Sequence, residues 1–420
     1  MTAKLFDPAE AGPQIGVGDW HVSAKQRRLV DDTLTCGRLS YGPYTAQFET
    51  EFARIHDRQF AMFCNSGTSA LQVGLHALKR KYGWAEGDEV IVPAVTFVAS
   101  SNVILQNGLK PVFVDVEPDY YELDPTKIEA AITKKTRAIM PVHLFGQPCD
   151  MAPILAIAKR HQLAIIEDSC ETMFVKYHGQ TVGSWGEVSC FSTYIAHLLI
   201  TGVGGFTTTN DPDLAVAIKS LFNHGRDGIY LHIDDDKDKT EQELFDLVAR
   251  RYRFVDVGYS YRATELEGAL GVGALEDYPA RLQRRQKIAA RFTEGLSDLT
   301  DLIQLPKIRP ETEHAFMMYP IVLRDGDMSR DDLVNFLESR PRPIETRQML
   351  PLVNQPIYQR LFGEDLETKF PVARWINTHG FYIGSHPELT DAEVDYVIAM
   401  IHEFCRSYLK VKSKKTKDKS

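Results

Sequence analysis

The sequence predicts an α/β protein: a large three-layer domain around a mostly parallel sheet, followed by a smaller C-terminal α+β domain. Three observations carry that prediction. From about Phe63 to Asn210, short apolar, β-branched runs alternate with longer segments of helical period, the pattern of a parallel sheet covered by helices. A long helical segment, Thr264 to Thr293, leads into a second unit from about Leu302 with its own strand, FMMYPIVL, and its own helix, DDLVNFLESR. The 420 residues, 44% hydrophobic and 25% charged, supply enough material for two or three folding units and exclude disorder as the main state.

The strands of the large sheet are expected at Glu89–Phe97, Pro111–Val116, Ala138–Phe145, Leu163–Asp168, Glu187–Tyr194 and Gly205–Thr209. Helices lie between them. Thr68 to Lys81 places Ala70, Leu71, Leu75 and Leu78 on one stripe, with Ser66 or Thr68 to cap its start. Asp124-Pro125 opens a helix through Ile128 and Ala131, and Asp150 opens another through Ile154, Ala158 and His161. The acidic stretch IDDDKDKTEQE has too few large apolar residues to be core and falls in an insertion loop, residues 224–256. The expected domains are residues 1–285 (large) and 286–408 (small). The lysine-rich end, LKVKSKKTKDKS (409–420), is expected to be a disordered basic tail.

A formal charge of −9 and an isoelectric point near 5.8 argue against wholesale nucleic-acid binding, which needs clustered positive charge. No apolar run reaches the length that crosses a bilayer, and MTAKLFDPAEAG lacks an export signal, so a cytoplasmic protein with no membrane partner is expected. The six cysteines are scattered singly, without the spacing of a zinc site or disulfide framework, and reduced, mostly buried thiols are expected. His143, His224 and Asp234-Asp235-Asp236 take plain readings: a strand-end histidine, a helix-end histidine favoured by the dipole, and a solvated loop, with no metal site.

Chemistry concentrates at a few points. Asn65-Ser66-Gly67-Thr68-Ser69-Ala70 lies between a strand and a helix, where free backbone N–H groups and the helix dipole suit a phosphate. Taken alone, such a turn is equally a helix cap. Ser192 ends the strand Glu187–Tyr194 and faces the same point, or is simply an exposed strand-end serine. Asp168 ends a buried strand at its carboxyl edge, where open α/β sheets bind ligands, and a carboxylate there needs a cationic partner such as a protonated ring nitrogen. Phe97 offers a flat face to the same ring, although a lone aromatic is more often core.

SGTSAL, PAVTFVAS, PVHLFGQPCDM, IIEDSCE, FSTYIAHLLITGVGGF, GYSYRATELEGALG and IETRQMLP, in this order between about Gly42 and Phe404, resemble the DegT-type sugar aminotransferases. These are pyridoxal-phosphate enzymes of fold type I. The resemblance implies that Gly67, Thr68 and Ser192 grip the phosphate, that Asp168 pairs with the pyridine nitrogen and that Phe97 stacks on the ring. It also implies a homodimer whose active sites are shared between subunits.

Three departures from that family pattern matter. The lysine that bonds the cofactor covalently is replaced by His197, and imidazole makes no stable link to an aldehyde, yet it moves protons near neutral pH. Glu171 stands where the aminotransferases usually place glutamine, and Ser260 where they generally have an asparagine that reaches the partner's phosphate. Histidine for lysine, with an acid nearby and His224-Gly225-Arg226-Asp227, is similar to the family's nucleotide-sugar 3-dehydratases of the GDP-4-keto-6-deoxymannose type. Gly228-Ile229-Tyr230 follows, so the iron–sulfur cluster of one dehydratase branch is not expected.

The function expected is removal of the C3 hydroxyl from a nucleotide-linked 4-keto-6-deoxy sugar, with pyridoxal or pyridoxamine phosphate as cofactor and His197 and Asp168 as catalytic groups. Two alternatives stand beside it: a sugar aminotransferase using glutamate as amino donor, and a non-catalytic cofactor- or sugar-binding protein. Arg226, Arg262 and Arg347 are candidate anchors for a diphosphate or carboxylate, although arginines on such loops commonly form surface ion pairs.

Overall fold

The computed structural model describes residues 13–227, 239–250, 252–324, 326–349 and 352–417. Its large sheet has seven strands: β1 (Phe60–Cys64), β2 (Glu89–Pro93), β3 (Lys110–Val114), β4 (Thr136–Ile139), β5 (Ala164–Asp168), β6 (Val188–Ser192) and β7 (Gly205–Thr209). They run in the order β1-β7-β6-β5-β4-β2-β3, and β7 alone is antiparallel to its neighbours. Every residue of β2, β5, β6 and β7 is buried, as a sheet covered on both faces requires.

The covering helices are α1 (Ala24–Cys36), α2 (Pro43–Ile55), α3 (Gly67–Tyr82), α4 (Val98–Gln106), α5 (Pro125–Ala131), α6 (Met151–His161) and α7 (Pro212–Phe222). Their starts follow the local chemistry. Ser66 accepts from Ser69 N–H at the head of α3, and Asp124 accepts from Thr126 N–H at the head of α5. The expected strands overrun their observed ends because the chain leaves each strand at a turn: β2 stops at Pro93, and Phe97 already serves as N-cap of α4. β1 escaped the expected list, its FAMFC run being short and without a β-branched residue.

After α8 (Glu241–Arg250), one helix, α9 (Glu265–Gly295), serves both units. Its first half lies on α1 and α2 through a glycine face so close that a Cβ at Gly271 would sit 2.3 Å from Phe48 and one at Gly268 would sit 2.8 Å from the Thr45 nitrogen. Glu265 secures that contact by accepting from the N–H groups of Gly42, Tyr44 and Thr45 at 2.8, 2.6 and 3.1 Å, which caps α2. The second half gives Ile288, Ala289 and Phe292 to the small core. The small sheet, β8 (Ile303–Gln304), β9 (Met318–Leu323), β10 (Thr346–Gln348) and β11 (Gly380–Gly384), is antiparallel in the order β8-β9-β11-β10. It is flanked by α10 (Arg330–Glu338) and α13 (Asp391–Lys417).

The expected domain boundary at residue 285 falls inside α9, whose later residues Ile288, Ala289 and Phe292 join the small core. Three expectations are corrected. The N-terminal segment, assigned to the large domain, pairs with the small unit: Ile15 exchanges backbone hydrogen bonds with Pro343 and Glu345 at 2.8 and 2.9 Å and is buried beside Ile344. The tail is not disordered from residue 409, since α13 runs to Lys417; lysine is a good helix former, and the helix dipole favours cations at this end. The insertion loop contains α8, started by reciprocal hydrogen bonds between Thr240 and Glu243. Residues 228–238, including Asp234-Asp235-Asp236, lie outside the described residues. Among the described residues, no helix is long and apolar enough to cross a membrane.

From the small sheet the chain returns to the large unit as α11 (Pro356–Phe362) and α12 (Pro371–His379). Tyr358, Phe362 and Phe370 surround Phe113, and Tyr358 donates to Asn102 of α4 at 2.6 Å. Asp115, 4% exposed, accepts from Val372 and Ala373 N–H at 3.1 and 2.9 Å and so caps α12. Asp115→Ala is expected to lower stability by about 2 kcal/mol, from the lost cap and the stranded donors, read as a drop in the urea midpoint. An unchanged midpoint would show that α12 holds its place without this carboxylate.

Candidate active site

The site forms at the carboxyl ends of β5 and β6, where α3 begins. Gly67 lies against Ser192 and Cys170: a Cβ there would fall 2.7 Å from Ser192 Cβ and 2.9 Å from Cys170 Sγ. Gly205, opposite Ser192 in β7, is equally tight, its notional Cβ 2.5 Å from the Ser66 carbonyl carbon. The first turn of α3 is therefore seated directly on the ends of β6 and β7. Ser69 N–H is capped by Ser66 Oγ, while the Gly67 and Thr68 N–H groups have no partner within the helix and head it beside the end of β6, with the Thr68 side chain exposed.

Asp168 is 4% exposed. Its Oδ2 accepts from Ser100 Oγ at 2.6 Å and its Oδ1 from Cys170 N–H at 3.1 Å, while Ser100 shares a 2.8 Å bond with Thr96 Oγ1. All these donors are neutral. Among the described residues no ion pair reaches Asp168, a buried carboxyl at the carboxyl end of β5. Phe97, heading α4, is 56% exposed and is not a core residue.

His197 lies in the turn after β6, half-buried, with Nδ1 3.0 Å from Ser192 Oγ. Its main-chain oxygen accepts from Arg285 Nη2 at 3.0 Å. Burial first, and the Arg285 charge second, push its pKa down to about 4, so the imidazole is neutral at pH 7. Glu171 Oε2 accepts from Phe145 N–H at 3.0 Å. Burial, with the Asp168 charge adding to it, raises the Glu171 carboxyl to about 7.

The structure brings Gly67, Thr68, Ser192, His197, Asp168 and Glu171 to one crevice. The other candidates stand apart within a single chain. Ser260 and Arg262 are exposed and bonded to each other at 3.0 Å, with Arg262 also donating to Asn223 at 3.1 Å beside His224. Arg226 lies 5.8 and 6.0 Å from the Tyr252 and Phe254 rings, its buried Nε without a hydrogen-bond partner. Arg347 is on β10, opposite Tyr382 and ion-paired with Glu345. His143 is a core histidine, bonded to Glu167 at 3.1 Å and accepting from Cys149 N–H.

Sequence reasoning missed Ser100, Thr96, Gly205 and Arg285. Ser100 had a signal, one turn beyond Phe97 in PAVTFVAS; Arg285, in the middle of a long helix, had none.

A phosphorylated pyridine fits these residues. Phosphate would sit at the α3 N-terminus, which Gly67 lets pack directly against Ser192, and a protonated ring nitrogen would supply the cation that Asp168 lacks. Among the described residues, no group of histidine, cysteine, aspartate and glutamate side chains is placed to hold a metal ion.

The model of the DegT/DnrJ/EryC1/StrS aminotransferase family matches residues 21–402, and the chain belongs to that family. It is 35% identical over 394 residues to GDP-perosamine synthase of Caulobacter vibrioides, covering 93% of this chain and 98% of the relative. It is also 35% identical over 384 residues to dTDP-4-dehydro-2,6-dideoxy-D-glucose 3-dehydratase of Saccharopolyspora spinosa, covering 87% and 81%. E. coli GDP-4-keto-6-deoxy-D-mannose-3-dehydratase with bound hydrated PLP shares the fold, with a TM-score of 0.82 and 24% identity over 93% of this chain and 99% of that one. The protein is thus a pyridoxal-phosphate-dependent, sugar-modifying enzyme with the aminotransferase fold.

Glu171 gives the site a testable pH signature. A carboxyl that titrates near 7 when folded and near 4.5 when unfolded loses stability as pH rises between those values, because the unfolded chain ionises first. Glu171→Gln should therefore gain on the parent by about 2 kcal/mol between pH 5 and pH 8, read from denaturation at both pH values. A constant difference would place the Glu171 carboxyl in the ordinary range.

Proposed function

We propose that this family member is a 3-dehydratase, removing the C3 hydroxyl from a nucleotide-linked 4-keto-6-deoxy sugar with pyridoxamine phosphate as cofactor and His197 as base. One observation carries the reading: an imidazole, anchored to Ser192, occupies the turn after β6 where the aminotransferases keep a lysine. When bound, the cofactor supplies an amine for the C4 ketone and a conjugated ring that takes up an electron pair.

The chain's own residues do the rest. Gly67, Thr68 and Ser192 would hold the phosphate, Phe97 would pack on the ring, and Asp168 would keep the ring nitrogen protonated so that negative charge can spread into it. His197, neutral at pH 7, would serve as the base toward the bound cofactor and would hand the proton to the departing C3 hydroxyl. Its low pKa makes capture harder and return easier. Return is the step that helps most, since hydroxide leaves poorly without a proton. A lysine in this position would compete for the ketone and carry the reaction toward amino-group transfer.

A homodimer with shared active sites, acting in the cytoplasm, completes the reading. It is supported by Tyr252, Phe254, Val255 and Val257, which are 85, 49, 52 and 84% exposed in one chain beside Ser260 and Arg262. Those two residues, with Arg226 and Arg347, are proposed to meet the nucleotide sugar once a partner subunit covers that face. Glutamate would regenerate the amine form of the cofactor.

Transamination is the second reading, favoured by the GDP-perosamine synthases among the relatives. Incubating the enzyme with pyridoxamine phosphate and GDP- or dTDP-linked 4-keto-6-deoxy sugars separates the two by product mass. A sugar product lighter by one oxygen is expected, with the amine form of the cofactor oxidised to the aldehyde and its nitrogen released as ammonia; gain of an amino group with the C3 hydroxyl intact would establish transamination, and no change would leave a binding protein. His197→Lys is expected to gain the near-visible absorbance of covalently held cofactor and to lose dehydration about 100-fold. Undiminished dehydration in that variant would remove His197 from its role.

A further inference from the structure

Arg285 is 2% exposed, in the middle of α9, yet among the described residues it forms no ion pair. Its guanidinium instead donates to two main-chain carbonyls: Nη2 to His197 at 3.0 Å and Nη1 to Met317 at 3.0 Å. A buried cation satisfied only by carbonyls is unfavourable for the fold, and burial lowers the Arg285 pKa to about 9. The two carbonyls belong to different units, the turn after β6 and the residue preceding β9. Gly18 presses on the same turn from the other side, where a Cβ would lie 3.0 Å from Ala196 Cα. The backbone of the turn is therefore clamped while Ser192 holds the ring.

We propose that Arg285 is a positioning residue for His197: its guanidinium fixes the turn that carries the imidazole, ties that turn to the small sheet, and sets a permanent positive charge behind the ring. The inference rests on His197 being the proton carrier. The charged groups around the turn are Arg285 and Arg281 of α9, Glu388 (bonded to Arg281 at 2.8 Å), Asp19 of the N-terminal segment, and Asp168 on β5. His386, buried and with neither ring nitrogen bonded, also lies within the influence of Arg285 and Asp19. Of these, Arg285 is the charge that acts on His197, and it opposes protonation of the imidazole.

The test uses the cofactor-loaded full chain without substrate, with nitrogen-15 histidine and the His197 resonance assigned by its loss in His197→Gln. In Arg285→Met the titration of His197 should move up by about one pH unit, a tenfold gain in proton affinity. Turnover should fall about tenfold or more while KM changes less than about threefold. Arg285→Lys, which keeps the charge and one donor, should leave the titration at the parental pH and recover most of the rate. An unmoved titration in Arg285→Met overturns the proposal even if the rate falls, because a merely structural arginine would slow the enzyme without touching the imidazole. Should Arg285→Met fail to fold, Arg285→Gln carries the same expectation. If that variant also fails, a parental His197 titration at or above the ordinary imidazole value of about 6.5 overturns the proposal, since nothing would then oppose protonation of the ring. A product that gains nitrogen would sink the dehydration reading and leave the Arg285 titration standing.

Discussion

The site depends on one close approach of helix to sheet. Gly205 has no space for a Cβ against the Ser66–Gly67 backbone, and Gly67 has none against Ser192 and Cys170, so the first turn of α3 rests directly on the ends of β6 and β7. That contact fixes where the helix's unpaired N–H groups converge and how far they stand from Ser192. At Gly205 it cannot be adjusted by choosing another rotamer, because both sides of the contact are backbone. Everything proposed to surround a phosphate here inherits its position from two absent methyl groups.

β5 divides its labour between adjacent carboxylates that point to opposite faces of the sheet. Glu167 faces the interior of the large unit and is fully satisfied there: Gly183, Trp185 and Gly186 N–H, Ser189 Oγ and His143 all bond to it, with Arg58 nearby at 3.5 Å. Burial by itself would raise its pKa; the hydrogen bond from His143 and the Arg58 charge hold it low. Asp168, next along the chain, receives two neutral donors and keeps its remaining capacity for a ligand. The same residue type is structural on one face and chemical on the other because one face has cations and the other does not.

Much of this was legible in the sequence. The strand and helix pattern from β2 onward, the Ser66 cap and the Asp124 cap follow from local chemistry that neighbouring residues display, whereas the grouping of Glu171 and His197 with Gly67, Ser192 and Asp168 came from the resemblance to the sugar aminotransferases. What was not legible depends on contacts between distant segments. Ile15 pairs with residue 343, Glu265 caps a helix more than 200 positions earlier, and Arg285 reaches a turn 88 residues away. The basic end misled for a different reason: it lacks apolar periodicity, but it prolongs a helix already started by the reciprocal bonds of Thr390 and Glu393.

The return of α11 and α12 from the small sheet onto Phe113 and Asp115 means that the last part of the chain finishes a core begun some 250 residues earlier. Together with the N-terminal segment lodged in the opposite unit, it makes the two halves interlocked rather than serial. No single cut separates them into autonomous pieces. During synthesis, the first half must wait with an open apolar flank until nearly the whole polypeptide has been made, so this chain has no early native checkpoint at its midpoint.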